Sequence, residues 1–226
     1  MSTSQKHIIG MYADHSIRCW ELRDRGAPAL SWTLLTHVKC IWALASQRSP
    51  TGAHRLATAS EDGTVRTWTL DSRQNKPSVR PAATIELAFE PQCQDGTSGT
   101  VHTVVPRALA WTPCSKFLAI GDHTGMMHVY DTASHACVKA WPAHEGLVRC
   151  LAFSERPVGG TTLLATAGDD GLVHIYDASL QKYTILQTLD EHDGMGVTAV
   201  TFTDGSGIVS CAQDCKIVFR CAEIQL

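Results

Sequence analysis

Short runs in which small, β-branched and apolar residues alternate, each closed by a polar turn, set the pattern of this chain. Residues 56–70, LATASEDGTVRTWTL, show it most completely. Leu56-Ala57-Thr58-Ala59 is apolar and small, Glu61-Asp62-Gly63 turns sharply, and Thr64 onward returns with β-branched and aromatic residues at alternate positions. Two runs of strand formers about an Asp-Gly pair predict a β-hairpin, because glycine accepts the positive φ of a tight connection. The hairpin recurs. Asp62 has counterparts at Asp14 in YADHSIRCW, Asp170 in AGDDGLVHIYD and Asp214 in CAQDCKIVFR, and IGDHTGMMHVYD places Thr124 there. Successive turn residues stand 48, 62, 46 and 44 positions apart, so one module repeats and the long gap carries an insertion.

A second run precedes each later hairpin: Ile41-Trp42-Ala43-Leu44, Ala108-Leu109-Ala110-Trp111, Val148-Arg149-Cys150-Leu151 and Val197-Thr198-Ala199-Val200. His37, His144 and His192 stand ahead of three of these runs, and a further strand precedes each histidine, over residues 31–36, 137–141 and 183–189. The unit is strand, histidine, strand, strand, Asp turn, strand. It resembles the WD40 repeat, with Trp68, Tyr130-Asp131 and Tyr176-Asp177 in the place of its Trp-Asp pair. The resemblance implies an all-β fold, a WD40 β-propeller of four full repeats plus a partial one, and so an incomplete ring.

Taken in order, residues 1–6 are a polar lead-in, 7–11 and 16–22 form the first hairpin, and 23–28 are a charged loop with Gly and Pro. Residues 31–70 are the first complete unit. Residues 71–100 are polar and rich in Pro and Gly around one strand predicted over 83–89, so 72–104 reads as a mobile surface insertion containing one outer strand. The last unit, 183–221, has Arg220 at the Trp position, an atypical edge of the kind terminal repeats show. Residues 7–222 then form one repeat domain. The opening hairpin lacks its first strand and the closing unit its outer strand, and both ends supply the same central hairpin. Exposed sheet edges and apolar blade faces predict self-association or completion by missing blades.

Composition changes this picture little. A net charge of −3 over 226 residues, with no basic run, gives no electrostatic footprint for nucleic acid or an anionic membrane. No apolar stretch approaches the roughly 20 residues of a membrane span, so the expected setting is intracellular and cytoplasmic. Nine cysteines without CxxC spacing predict free, mostly buried thiols. Cys211, Cys215 and Cys221 match no zinc spacing, and neither a metal nor a cofactor is expected.

The repeat's polar residues have a structural explanation. A partly buried turn carboxylate must find donors, and an imidazole N–H supplies one. In WD40 proteins a histidine, a Ser or Thr, the turn Asp and the Trp form a hydrogen-bonded relay, which the resemblance carries onto His37, Ser60, Asp62 and Trp68. His144 with Asp170, and the turn residues Asp14 and Asp214, extend it to other units, where Gly168 in place of serine predicts an incomplete relay. His-Asp pairs that recur once per repeat belong to the module, and no nucleophile elbow, P-loop or HExxH motif stands elsewhere, so no catalysis is expected. Function then falls to surfaces. Residues at the start of the strand after each histidine (Trp42, Arg149, Thr198) and just before the turn (Glu61, Asp169, Gln213) are expected on one rim. An aromatic beside an arginine there is the composition of a protein-binding hot spot.

The match extends further. Gln187-Thr188-Leu189-Asp190-Glu191-His192, followed by Val197-Thr198-Ala199-Val200-Thr201-Phe202, resembles the C-terminal propeller of the mitogen-activated-protein-kinase-binding and microcephaly-associated WD-repeat scaffolds. Asp14-His15-Ser16-Ile17 with Trp20, Cys40-Ile41-Trp42, and Gly121-Asp122 with Gly125 are similar too. This resemblance implies a non-catalytic scaffold whose partners are other proteins, namely kinase-signalling or spindle-pole and microtubule components. A ciliary or cytoskeletal structural part, or a substrate-recognition subunit of a ubiquitin ligase, are the alternatives. The latter would show paired arginines on the rim.

Overall fold

The computed structural model describes residues 6–23, 25–48, 54–70, 82–87, 103–179, 182–203 and 207–221. They form five antiparallel sheets. The first holds β1 (Lys6–Met11), β2 (Ser16–Leu22) and β3 (Ala29–Leu35), and the second β4 (Ile41–Arg48), β5 (His54–Ser60), β6 (Thr64–Leu70) and β7 (Ala83–Glu86). The third is β8 (Pro106–Trp111), β9 (Phe117–Asp122), β10 (Met126–Asp131) and β11 (Cys137–Pro142). The fourth is β12 (Val148–Phe153), β13 (Leu163–Gly168), β14 (Val173–Asp177) and β15 (Thr184–Leu189). The fifth is β16 (Val197–Phe202), β17 (Gly207–Ala212) and β18 (Ile217–Cys221).

These sheets are the blades of an open propeller arc. The innermost strands β4, β8, β12 and β16 pack beside one another in that order. The repeating sequence unit is offset from the blade by one strand: β3 pairs with β2, β7 with β6, β11 with β10 and β15 with β14. The strand that opens each unit therefore completes the blade before it. Among the described residues the first blade shows three strands, without an inner one, and the fifth three, without an outer one.

Each blade interior is apolar on both faces, because a neighbour covers each. That is why β5, β9 and β13 are built from small residues (HRLATAS, FLAIGD, LLATAG) and are buried almost without interruption. Ile17, Cys19, Trp32, Leu56, Trp68 and Leu70 fill the space between the first two blades. Val65, Ile85, Leu109, Trp111, Leu118 and Ile120 fill the next, and Leu163, Ile175, Leu189, Val197, Val200 and Ile208 the last. Each such large side chain contributes about 1.5–3 kcal/mol on burial. Outer strands β11 and β15 are mostly exposed.

Two expectations need amending. The strand over 83–89 is described only as Ala83–Glu86, and residues 71–81 and 88–102, which carry most of the expected insertion, lie outside the described residues. Among the described residues the thiols are free but not mostly buried: Cys19 is buried, Cys150 and Cys211 half-buried, and Cys40, Cys114, Cys137 and Cys215 exposed. They sit in turns, at strand starts and on an outer strand, where no blade covers them. No helix of the described residues is long and apolar enough to cross a membrane.

The hairpin turns share one backbone device. The residue that closes each turn is left-handed: His15 (φ 63°), Gly63 (83°), Gly125 (89°), Gly171 (82°) and Cys215 (62°). At Gly125 the chain also passes against the loop carrying His144, whose backbone N–H donates to the Gly125 carbonyl at 3.1 Å. A Cβ on Gly125 would lie 2.0 Å from the His144 carbonyl oxygen. Gly125→Ala should therefore lower stability by at least about 2 kcal/mol, read as a shifted urea midpoint. Cys215→Gly, at a strained position with a side chain to lose, should leave it unchanged or raised.

Candidate functional site

The polar network begins with His37, in the loop joining outer strand β3 to inner strand β4. Its Nδ1 lies 2.9 Å from Asp62 Oδ2, at the β5–β6 turn, and its Nε2 2.8 Å from Thr58 Oγ1. The His37 ring is buried, and burial pushes its pKa down against the pull of Asp62. The neutral tautomer fits: Nδ1–H donates to the carboxylate and the Thr58 hydroxyl donates to Nε2. Asp62 also accepts from the Thr64 amide at 3.0 Å and the Thr64 hydroxyl at 2.6 Å. Burial works to raise its carboxyl, but the hydrogen bonds from Thr64 and His37 outweigh it and hold it down to about 2.

The hydroxyl facing the imidazole is thus Thr58, not Ser60. Ser60 instead donates to the Lys39 carbonyl at 3.3 Å and accepts from the Asp62 amide at 3.2 Å. Trp68 is buried with its ring edge-on to His37, centroids 6.3 Å apart, and its Nε1 has no hydrogen-bond partner among the described residues. In the fourth blade His144 Nδ1 lies 3.0 Å from both Asp170 oxygens and Nε2 2.8 Å from Thr166 Oγ1. Thr166 supplies the hydroxyl, so Gly168 leaves nothing incomplete. A Cβ there would meet His144 Nδ1 at 2.4 Å, so the glycine is what lets the ring approach. In the fifth blade His192 joins Asp214 (3.0 Å) to Ser210 (2.8 Å).

Thr58, Thr166 and Ser210 each stand four residues before their turn Asp, a spacing that identifies them in the sequence. Among the described residues Asp14 shows no such relay: its carboxylate accepts from Ser16 and pairs with Arg18. Nor does Thr124, which donates to Asp122 at 2.7 Å. Asp122 is buried and lies 2.8 Å from His128 Nε2, so the third blade moves the carboxylate two positions earlier. His102, four residues ahead of β8 as His37 is ahead of β4, lies outside the described residues.

The relay ties a loop to a turn, and beside it a second geometry repeats. The amide just before each turn residue bonds the carbonyl just before the inner strand: Glu61 to Cys40, His123 to Val105, Asp169 to Leu147 and Gln213 to Gly196, at 2.9–3.1 Å. The inner strand then bulges by one residue, the register skipping between Ile41 and Ala43, Pro106 and Ala108, Val148 and Cys150, and Val197 and Ala199. The skipped residues are Trp42, Arg107, Arg149 and Thr198. A bulge re-aims a side chain. Four in register make a crown on one face of the arc.

Trp42 is 44% exposed and is not packed between blades. The Arg107 guanidinium lies over its ring, 3.8 Å from the centroid. Burial and the neighbouring Arg149 disfavour the Arg107 charge, while Glu61 and Asp169 favour it. Arg149 pairs with Asp169 through Nε. Trp42, Glu61, Arg149 and Asp169 are therefore brought together. Thr198 and Gln213 take the equivalent places in the fifth blade, both exposed, with the Thr198 hydroxyl bonded to the Cys211 carbonyl at 3.0 Å. Arg107 is the crown residue that sequence reasoning missed. The run read from the sequence begins at Ala108, whereas the strand begins at Pro106, proline being tolerated as a strand's first residue.

Fold and repeat geometry together define a class, and comparison with known families agrees. The WD domain, G-beta repeat family matches residues 29–69 and 183–219, and the anaphase-promoting complex subunit 4 WD40 domain family matches residues 95–156. The chain carries WD40 repeats folded as the blades of a partial β-propeller. It is similar over 94% of its length to mitogen-activated protein kinase-binding protein 1 of Mus musculus and of Homo sapiens, 29% identical to each. WD repeat-containing protein 62 of Sus scrofa is 28% identical over 94% of the chain. The chain spans only 16% of the length of the first two and 15% of the third.

Two predictions follow from the relay. Thr58→Val strips the partner from a buried imidazole and should cost about 1–3 kcal/mol, whereas Ser60→Ala should cost less than about 1 kcal/mol. Chemical denaturation of the two variants checks the order. Stability should also fall on acidification, with the same sign from both partners. His37 has a folded pKa below its ordinary 6.5, so its contribution is present above that value and is lost as pH falls through the folded one. Asp62, held to about 2 against 3.8, contributes above 3.8 and loses its contribution as pH falls towards 2. A melting series across this range, with Asp62→Asn flattening its acid end, tests the assignment.

Proposed function

We propose that this chain is a non-catalytic protein-interaction scaffold whose partner-binding surface is the crown of bulge residues, centred on Trp42, Arg107 and Arg149. One observation carries the proposal: bulges in successive blades point an exposed tryptophan and two arginines at the same face, where Glu61 and Asp169 hold the arginines in place. Trp and Arg are the residue types that dominate binding hot spots, and side chains already held in position lose little freedom on binding. Thr198 and Gln213 extend the surface onto the fifth blade. The relays of His37, Asp62, His144, Asp170, His192 and Asp214 support it from behind by fixing the loops that lead into the inner strands.

The partners are proteins of a kinase-signalling assembly, as the name of the murine and human relatives, mitogen-activated protein kinase-binding protein 1, suggests for those proteins. Spindle-pole and microtubule components belong to the same proposal. The protein works in the cytoplasm, in association with the cytoskeleton. A second reading is favoured by Arg107 standing beside Arg149. Paired arginines suit an acidic or phosphorylated peptide, the ligand of a substrate-recognition subunit.

Affinity capture from cell extract tests both. Trp42→Ala, Arg107→Glu and Arg149→Glu should each reduce recovery of one shared set of proteins at least tenfold, while Ile185→Lys on the exposed outer strand β15 should retain it. Loss with Ile185→Lys alone would count against the crown. Phosphatase treatment of the extract separates the readings: recovery that survives it favours the scaffold, and recovery that vanishes favours the phosphopeptide reader.

A further inference from the structure

The residue four positions after the turn Asp distinguishes the fourth blade. In the first two blades it is an arginine beside the turn carboxylate: Arg18 pairs with Asp14, and Arg66 Nη2 lies 4.0 Å from Asp62 Oδ2. In the third blade the matching residue is His128, bonded to Asp122. In the fourth it is His174, which is not bonded to Asp170 but lies against His144, ring centroids 4.6 Å apart. The turn carboxylate there has lost the arginine that blades one and two place beside it and faces two imidazoles.

The two rings share an arrangement. His144 commits Nε2 to Thr166 Oγ1 at 2.8 Å and turns Nδ1 to Asp170, while His174 commits Nδ1 to Thr188 Oγ1 at 2.9 Å. Each imidazole thus has one nitrogen oriented by a threonine hydroxyl and the other directed elsewhere, as metal-ligating histidines are held by an outer partner. One potential ligand atom from each of His144, Asp170 and His174 lies within 4.8 Å of the others, and among the described residues this is the cluster so placed. The His144 Nδ1–Asp170 separation of 3.0 Å is close to the ~3.3 Å edge of a tetrahedron with zinc–ligand bonds of about 2.0–2.1 Å. The cluster opens on a cavity of about 670 Å³ whose wall includes Glu145, Asp190 and Asp193. Among the described residues lining it there is no lysine or arginine, although Lys216 reaches Asp193 at 2.8 Å.

We infer that His144, Asp170 and His174 form a divalent transition-metal site of the zinc type, in which the ion takes the place of the arginine of the first two blades. Two imidazoles and a carboxylate are a zinc-type donor set, and water from the cavity completes the coordination. With His144 Nε2 and His174 Nδ1 taken by threonine hydroxyls, His144 Nδ1 and His174 Nε2 are the nitrogens left to ligate, each from a neutral imidazole. Binding exchanges the His144 Nδ1 proton for the ion and releases it to solvent. The sequence gives no hint of the site, because its ligands come from a loop, a turn and a strand of one blade.

Cobalt(II), whose visible absorption reports tetrahedral coordination, is the probe. The full chain, with its cysteines kept reduced, is titrated with cobalt alongside His174→Arg, which installs the arginine of the first two blades. The expected result is one equivalent bound by the native chain, displaced by zinc, and weakened at least tenfold in His174→Arg. The difference spectrum should lack the near-ultraviolet band of thiolate ligands. No binding at millimolar cobalt, equal binding by both proteins, or a thiolate band in the difference would overturn the site. If circular dichroism shows His174→Arg unfolded, His174→Ala is read in the same titration.

Discussion

A buried imidazole clamped between a turn carboxylate and a strand hydroxyl is the interaction on which the arc depends. His37, His144 and His192 each reach from the loop between two blades to the turn of the second, so a single ring fixes the path by which the chain leaves one sheet and enters the next. A neutral ring can do this because one nitrogen donates and the other accepts, leaving no buried polar atom on the ring unpaired. Hydrophobic burial between blades supplies the larger share of the stability, yet it is non-directional and does not by itself fix where a loop runs. The relay supplies that direction.

What the clamp positions is the crown. The loop it holds ends at Cys40, Leu147 or Gly196, whose carbonyl takes the amide beside the turn, and the bulge follows within two residues. In the second, fourth and fifth blades relay, loop, bulge and rim side chain are therefore one mechanical chain, ending at Trp42, Arg149 and Thr198, and the third blade adds Arg107 from the same bulge. The departures from the repeat are informative for the same reason. Among the described residues the first blade shows no relay, and in the third Asp122 and His128 pair within one hairpin. The fourth replaces the arginine beside its carboxylate with His174 and becomes a place for an ion.

Much of this was legible in the sequence. The Asp-Gly turns, the strand periods and the 44–48-residue spacing gave the all-β propeller arc and the number of hairpins, and the likeness to kinase-binding WD-repeat scaffolds agrees with the comparisons. The errors lie where sidedness matters. The resemblance assigns the relay hydroxyl to Ser60, but Thr58, four positions before the turn Asp, is the hydroxyl that meets the ring. Arg107 falls just outside the run read from Ala108, and Gly168 reads as a missing serine although its lack of a side chain is what admits His144. The metal cluster had no signature at all, since spacing along the chain says nothing about which ring nitrogen a threonine has already taken.

The central claim is that the relay holds the crown, and amide hydrogen exchange in Asp62→Ala tests it most directly. The Glu61 amide is bonded to Cys40 O at 2.9 Å and the Asp169 amide to Leu147 O at 3.0 Å, so both should exchange slowly in the native chain. In Asp62→Ala, Glu61 should lose its protection while Asp169, two blades away, keeps it. Protection of Glu61 unchanged in the variant would mean that packing alone sets the loop, and the account given for the relay would be wrong.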